Sequence, residues 1–200
     1  MKLHLIAATV CMLLASNVHA TSLSGNLTAD NEFKLYISTD ADVLGTLIAI
    51  GNNWSSTFSF SNAPLVAGQD YFLQVVATDW GRPEAFIGEF SLSDSGFIFA
   101  NGTQHLLTNV NDWAAGNGPA SSWEAPTGTP VDHGNNGSSP WGSVSNISSE
   151  ARWIWAPEYG EGTAYFSTQL IAAIPEPSSY ALMLAGLALV GFAGRKSNKN

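Results

Sequence analysis

Between residues 21 and 174, apolar side chains tend to recur at every second position, and no stretch shows the 3.6-residue period of an amphipathic helix. Phe33, Leu35 and Ile37, for example, alternate with other residues in the segment EFKLYIS. Side chains at positions i and i+2 of a strand point to the same face of a sheet. The alternation therefore predicts a body built from half-buried β-strands.

Seven strands are predicted in this way, and turn residues such as Gly, Asn, Asp and Pro follow them. In chain order they cover residues 33–38, 44–50, 54–60, 70–79, 84–92, 151–155 and 163–174. The segment DYFLQVVATD at 70–79 is apolar on both faces, which predicts a central strand. Short strands about ten residues apart predict an all-β fold, an antiparallel β-sandwich of jelly-roll type.

The segment 109–149 has a different composition, rich in Gly, Pro, Asn and Ser, yet it contains Trp113, Trp123 and Trp141. Disordered linkers are usually poor in aromatic residues, whereas long irregular loops within compact domains are often functional. We therefore predict an irregular loop that lies over the sandwich and is held there by its indole rings. It is also the best candidate for a binding surface.

The first twenty residues have the pattern of a secretory signal peptide. A short polar start with Lys2 is followed by the apolar run from Leu5 to Ala15 and by the small-residue boundary Val18-His19-Ala20. We predict a signal peptide at 1–20 with cleavage after Ala20, and an ectodomain at 21–174. A membrane-embedded N-terminal anchor is the alternative, but the apolar run is too short to span a bilayer.

Charge and cysteine content exclude several classes of protein. The only cysteine, Cys11, lies in the signal peptide, so the body has no disulfide and no thiolate site. The body contains three basic residues against fifteen acidic ones, a net charge of −12. Such a surface repels phosphate backbones, so we predict no nucleic-acid partner. Solubility explains the charge better than cation binding does.

No metal site or cofactor is predicted. His133 follows Asp132, but no second histidine stands at a ligand spacing from it. Asp40-Ala41-Asp42 resembles the start of a calcium loop but lacks the later acidic ligands, so we interpret it as a hairpin turn. Calcium is possible on charge alone and has no further support.

No catalytic residues are predicted, and we expect a protein that is not an enzyme. The body has two histidines and no Gly-x-Ser-x-Gly motif around a serine nucleophile. A carboxylate pair for glycoside hydrolysis stays open as an alternative, because separation in space cannot be read from a sequence. The carboxylates available for such a pair include Glu84, Glu89, Asp112 and Glu124.

All seven tryptophans lie in the body, and indole rings stack well on the apolar faces of sugars. Trp153 and Trp155 belong to a predicted strand, which favours a structural role, and Trp54 fits either role. The candidate glycan-binding residues are the four tryptophans beside turn residues: Trp80, Trp113, Trp123 and Trp141.

The chain ends with Pro175-Glu176-Pro177, an uncharged apolar segment at 178–194, and a basic tail that begins with Arg195 and Lys196. Prolines keep the tripeptide extended and outside any hydrogen-bonded ladder. The apolar segment followed by basic residues predicts a single transmembrane helix at 178–194 with a cytoplasmic C-terminus. A helix buried in the body is the alternative.

These three parts, in this order, resemble the PEP-CTERM sorting signal of exported Gram-negative bacterial proteins, here at 175–200. The resemblance implies processing by an exosortase near Pro175, Glu176 and Pro177, with Arg195 and Lys196 as the basic cluster. It also implies an association with bacteria that produce exopolysaccharide and form biofilms or flocs. The tail is then a transient anchor, much as the hydrophobic tail of a GPI signal is discarded.

The body resembles secreted bacterial galactose-binding-like β-sandwich modules in the separated segments ADNEFKLYIS, GNNW, ATDWGRPEAFIGEF and ARWIW. That resemblance implies a sandwich fold, while a ligand has to be argued from a site.

Taken together, the sequence predicts a non-catalytic cell-envelope protein that associates with exopolysaccharide or biofilm matrix. It passes transiently through the inner membrane and then reaches the cell surface or extracellular matrix. Two alternatives stay open, a secreted hydrolase that acts on polysaccharide and a permanently anchored single-pass membrane protein.

Overall fold

A computed structural model describes residues 20–119, 122–157, 162–173 and 177–197. The predicted signal peptide therefore lies outside the described residues except for Ala20, and so do Pro175 and Glu176. The chain divides into two units, one of which is the body at 20–173. The described part of the other unit is one helix. The two units are described separately below.

The described part of the body contains twelve β-strands, most of them short. They are β1 (Ser22–Asp30), β2 (Glu32–Ser38), β3 (Thr46–Gly51), β4 (Phe58–Pro64), β5 (Tyr71–Asp79), β6 (Ala85–Leu92), β7 (Phe97–Phe99), β8 (His105–Leu107), β9 (Ala114–Asn117), β10 (Val131–Asn135), β11 (Arg152–Trp155) and β12 (Gly162–Ala172).

The strands form two six-stranded sheets in which the neighbouring strands run antiparallel. The first sheet has the order β10-β11-β6-β1-β4, with β8 also paired to β6. The second has the order β3-β2-β5-β12-β7, with β9 also paired to β12. The predicted all-β sandwich is confirmed at this level, and β5 is central as its sequence indicated. The jelly-roll subtype stays a prediction.

The main core lies between the sheets and is built from the inward residues of both. Phe86 on β6 meets Phe166 on β12 with their ring centroids 5.1 Å apart, and both side chains are fully buried. Leu27 and Leu35 belong to the same cluster from the two sheets. Burying one such side chain contributes about 1.5–3 kcal/mol, so in the absence of disulfides this core carries the stability of the body.

A second, smaller core covers the outer face of the first sheet. Ala85 and Ile87 alternate with Phe86 along β6 and therefore point away from the main core. They pack under residues of the loop that follows β10 and of β11. Strand β6 is thus buried on both faces, and the segment after β10 is laid on the sandwich. The buried members of this second core are Ala85, Ile87, Trp141, Val144, Ile147, Ala151 and Trp153.

The predicted strand at 54–60 is wrong in its first half. The amide of Ser56 donates to the carbonyl of Asn53 at 3.1 Å, and the amide of Ser55 donates to Asn53 Oδ1, also at 3.1 Å. These bonds make a turn around Trp54, and β4 begins only at Phe58. Asn side chains favour such turns over the extended conformation, and this preference outweighed the alternation.

The prediction of an irregular segment at 109–149 is corrected too, because it contains β9 and β10. Their sequences, AAGN and VDHGN, carry the Gly, Asn and Asp that are depleted in strands. The strands form because β12 and β11 offer edges to pair with. Tertiary pairing thus overrides weak local preference.

The described part of the tail is the helix α1 (Pro177–Ser197). Proline is favoured at the first helical position because its missing amide hydrogen has no partner there. The predicted transmembrane helix at 178–194 is not confirmed: within the part of the chain that the structure describes, no helix has the length and apolarity needed to span a bilayer.

Gln74 on β5 is fully buried and holds the hairpin between β2 and β3. Its Nε2 lies 3.1, 3.2 and 3.0 Å from the main-chain oxygens of Asp40, Ala41 and Val43. Its Oε1 accepts from the amide of Gly45 at 3.1 Å. One side chain thus bonds the hairpin turn at both of its ends.

We expect Gln74→Met to lower the free energy of unfolding by about 2 kcal/mol, because it removes every one of these bonds while keeping the side-chain volume. Gln104→Met is the matched control: Gln104 is exposed, and a surface substitution of this kind changes stability by about 0.5 kcal/mol or less. Urea denaturation measures both variants. Equal midpoints for the two would show that the turn does not depend on Gln74.

Candidate functional site

Segments distant in sequence meet at one corner of the sandwich. They are the end of β1, the connection from β5 to β6, strand β10 and the loop that follows it. Between them lies a pocket of about 190 Å³, called the corner pocket below. Its lining combines a guanidinium, a carboxylate, an imidazole, a hydroxyl and an indole, supplied by Arg82, Glu84, His133, Ser139 and Trp141.

The end of β1 fixes the connection between β5 and β6. The amide of Asn31 donates to the carbonyl of Thr78 at 2.9 Å, and Asn31 Nδ2 donates to Asp30 Oδ1 at 2.9 Å. Asn31 Oδ1 in turn accepts from the amide of Trp80 at 2.6 Å. The next amide, that of Gly81, donates to a carboxylate oxygen of β5 at 3.1 Å. The backbone of this turn is therefore set by side chains of the sandwich.

Trp141 joins the loop after β10 to the end of β1. Its indole Nε1 donates to Asp30 Oδ2 at 3.0 Å. Its ring stacks on Trp153 with centroids 5.0 Å apart and 26° between the planes. The ring of His133 meets Trp141 edge to face at 5.9 Å. The wall of the pocket is thus a rigid aromatic group that rests on the second core.

Asp30, Asp79 and Glu84 are all buried at this corner, each less than a tenth exposed. Burial raises the pKa of Asp30 most, the negative charges of Asp79 and Glu84 raise it further, and the hydrogen bond from Trp141 opposes the rise. The three carboxylates therefore interact with one another in a region poorly screened by water.

Burial lowers the pKa of His133, while the charges of Glu84 and Asp132 act in the opposite direction. The imidazole is therefore neutral at pH 7 and presents one donor and one acceptor. Among the described residues there is no group of three or more His, Cys, Asp or Glu that can hold a metal ion.

The structure separates the four tryptophans singled out as glycan-binding candidates. Trp80 is 64% exposed and lies in the connection from β5 to β6, two residues before Arg82 of the pocket lining, while Trp141 lines the pocket but is only 6% exposed. Trp113 is 3% exposed, packs between Phe86 and Phe90, and offers little surface to a ligand.

Trp123, the fourth candidate, lies at a different site. Its Nε1 donates to the carbonyl of Ala41 at 2.8 Å, and its ring lies 5.1 Å from that of Tyr165. Nearby is a cleft of about 320 Å³, lined in part by Glu124 and Tyr165. Burial raises the pKa of Tyr165, and the charge of Glu124 adds to the effect.

The four carboxylates considered for hydrolysis lie in different environments. Glu84 lines the corner pocket and Glu124 lines the cleft near Trp123. Glu89 accepts from the amide of Ser148 at 2.7 Å, and Asp112 accepts from a side-chain amide at 2.7 Å. Glu89 and Asp112 thus hold local structure.

Sequence reasoning missed Asp30, Asn31 and Asp79 altogether and considered Glu84 only as a possible catalyst. Asp30 and Trp141 are separated by 111 positions in the chain. No spacing rule connects residues so far apart. The one available signal was that Asp30-Asn31 and Asp79-Trp80 both follow strand-like segments, which places polar residues at strand ends.

The tail carries its basic residues at the end of the helix. Pro177 begins α1, and Arg195 and Lys196 fall in its last turn. Positive charge is favourable at that end because the helix dipole places partial negative charge there.

An all-β body followed directly by a proline-flanked apolar helix with a basic end defines a class of protein, one that carries a C-terminal sorting signal. More particularly, residues 173–197 match the family model described as the PEP-CTERM protein-sorting motif. The motif supports the interpretation of this chain as an exosortase substrate. It implies export and a location at the cell surface or outside the cell.

The comparisons support nothing further about the body. No curated protein matches the chain, and no solved structure matches it. The galactose-binding-like resemblance is therefore not confirmed, although the two-sheet sandwich is compatible with it.

Proposed function

We propose that this protein is a non-catalytic surface protein that associates with extracellular polysaccharide through the corner around Trp80. In this proposal exosortase removes the tail near Pro177, and the released body becomes part of the exopolysaccharide or biofilm matrix. The sorting motif supports the exosortase step. The binding step rests on the geometry of the corner.

The observation that carries the binding proposal is the exposure of Trp80 together with its fixed backbone. An indole exposed to 64% presents a broad, flat apolar face on which a partner can stack. Because Asn31 Oδ1 accepts from the amide of Trp80 at 2.6 Å, the turn is positioned before a ligand arrives. Preorganisation of this kind reduces the entropy lost on binding.

The position of Trp80 favours a sugar over a purely apolar partner. Sugar rings present an apolar face of C–H groups edged by hydroxyls. The indole can stack on that face while Arg82 and Ser139 of the corner pocket bond the hydroxyls. A few converging polar groups beside an aromatic surface are typical of small-molecule sites.

We expect Trp80→Ala to weaken binding to the polysaccharide of the producing cells about tenfold, the loss of about 1.4 kcal/mol of stacking. Val66→Ala is the matched control, because Val66 is also 64% exposed but lies in a different turn. Isothermal titration with purified polysaccharide measures both variants. The proposal would be contradicted if Trp80→Ala bound the polysaccharide as tightly as the wild type, or if the wild type did not bind it at all.

The same preparation tests the hydrolase alternative. If the protein releases reducing sugars from the polysaccharide, and Glu84→Gln abolishes the release, the protein is an enzyme and the non-catalytic proposal fails.

A further inference from the structure

Glu84 is the most informative buried group that the proposed function leaves unused. It is 2% exposed, it lines the corner pocket, and its Oε1 has no hydrogen-bond partner among the described residues. Buried polar atoms nearly always have partners, because an unpaired one loses its hydration without compensation. An acceptor oxygen of this kind at the wall of a pocket is therefore available to a donor that enters the pocket.

The charges around the pocket indicate what kind of donor fits. Three buried carboxylates, Asp30, Asp79 and Glu84, lie at this corner, against the single guanidinium of Arg82 at the rim. His133 is the other titratable side chain of the lining, and burial keeps its imidazole neutral. A cation entering the pocket relieves repulsion between the carboxylates, a neutral group leaves it unchanged, and an anion increases it.

Three other carboxylate oxygens at the corner accept hydrogen bonds from the protein. Asp30 Oδ2 accepts from Trp141 and Asp30 Oδ1 accepts from Asn31 Nδ2. Asp79 Oδ2 accepts from the amide of Gly81. Of the three carboxylates at this corner, Glu84 is the one that lines the pocket, so its Oε1 is the acceptor within reach of a ligand.

We propose that the corner pocket binds one amino-sugar unit of a polysaccharide, with the sugar's ammonium group donating to Glu84 Oε1. This inference rests on the proposed polysaccharide binding and specifies its substrate class. Trp80 stacks on the ring or on the neighbouring unit, and Ser139 lies within the lining to meet a hydroxyl.

The size of the pocket agrees with a single sugar unit. At about 190 Å³ it is smaller than the roughly 300–1,000 Å³ of sites that enclose drug-sized ligands. A polymer therefore places one residue in the pocket and runs over the exposed indole beside it. Uronic acids, which carry a carboxylate on each unit, are excluded by the same charges.

The experiment measures the binding of three soluble oligosaccharides to the full exported protein by titration calorimetry. The probes are oligomers of glucosamine, of N-acetylglucosamine and of a uronic acid, at a pH where the sugar amine is protonated. We expect the glucosamine oligomer to bind at least about tenfold more tightly than its acetylated form, as a charge-assisted hydrogen bond predicts. The uronic acid oligomer is expected to bind most weakly.

Glu84→Gln is expected to abolish the preference for the amine, so that the glucosamine oligomer and its acetylated form bind within about twofold of each other. Asp42→Asn is the matched control: it removes the same charge from an exposed position in the hairpin between β2 and β3. Thermal melting of both variants shows that they are folded. The wild-type preference persisting in Glu84→Gln, or disappearing equally in Asp42→Asn, would overturn the inference.

The outcomes separate this inference from the function on which it rests. In one outcome, the wild type binds the acetylated oligomer as tightly as the glucosamine oligomer, and Trp80→Ala loses this binding. That outcome leaves the proposed function intact and overturns the amino-sugar assignment. Failure of all three oligomers and of the native polysaccharide to bind overturns both.

Discussion

When Pro175, Glu176 and Pro177 are all replaced by alanine, most of the exported protein is expected to keep residues 178–200. The motif match at 173–197 is the basis of this prediction, since it implies that exosortase acts on this segment. Two prolines remove two amide donors and restrict the backbone to φ near −65°. Alanine restores both amides and favours the extension of α1 toward the body, which hides the segment from a protease that needs extended chain.

Mass spectrometry of the C-terminal peptide measures the result. The wild type is expected to end near Pro177, and the triple variant at Asn200. Ser178→Ala with Ser179→Ala is the matched control, because it changes the adjacent residues and leaves the tripeptide intact. Equal tail removal in the triple variant and the wild type would show that the tripeptide is not the recognition element. An intact tail on the exported wild type would favour the permanently anchored alternative.

The tail was predictable because its signal is contiguous. A proline pair, an apolar run and a basic end are read in order from about twenty-five residues, and no distant part of the chain has to be placed. The transmembrane character of the apolar run is the part of this prediction that is not confirmed.

Strands of the second sheet were predictable because their apolar pattern can also be read from one contiguous segment. Strand β5 is apolar on both faces because it lies between β2 and β12 and is covered on both sides. Strand β1 was missed although it is central in the first sheet. Its inward positions include Gly25 beside Leu23 and Leu27, and adding a Cβ at Gly25 brings it within 2.8 Å of Phe60 and Phe90. The position therefore requires glycine. Because glycine has no side chain, it interrupts the alternation of apolar and polar residues by which a strand is recognised in a sequence.

The candidate site was the least predictable part of the molecule. Its residues come from the end of β1, the turn after β5, strand β10 and the loop after it. Each is an ordinary polar or aromatic residue in its local context. Only the pairing of β6 with β1 on one side and β11 on the other brings Glu84 near His133 and Trp141. The chemistry of the site is therefore a product of topology.

Trp153→Ala is expected to lower the free energy of unfolding by about 4 kcal/mol, the largest effect of any single substitution proposed here. Trp153 is fully buried in the second core and stacks on Trp141 at 5.0 Å. Removing its ring leaves a cavity under Trp141 and takes away the support for the bond from Trp141 to Asp30. Urea denaturation measures the loss, and Trp153→Phe separates its causes.

Trp153→Phe keeps most of the apolar volume and removes an indole N–H that has no hydrogen-bond partner among the described residues. Loss of that unpaired donor offsets part of the cost of the smaller ring, so we expect about 1 kcal/mol of destabilisation. Equal loss of stability in the two variants would show that a phenyl ring does not replace the packing of the indole, and would contradict the expected offset. In another outcome, Trp153→Phe restores most of the stability but not the affinity of the corner pocket for its ligand. That outcome would show that the stacking of Trp153 on Trp141 positions the Trp141 indole, because the smaller phenyl ring fills the core without holding that indole in place.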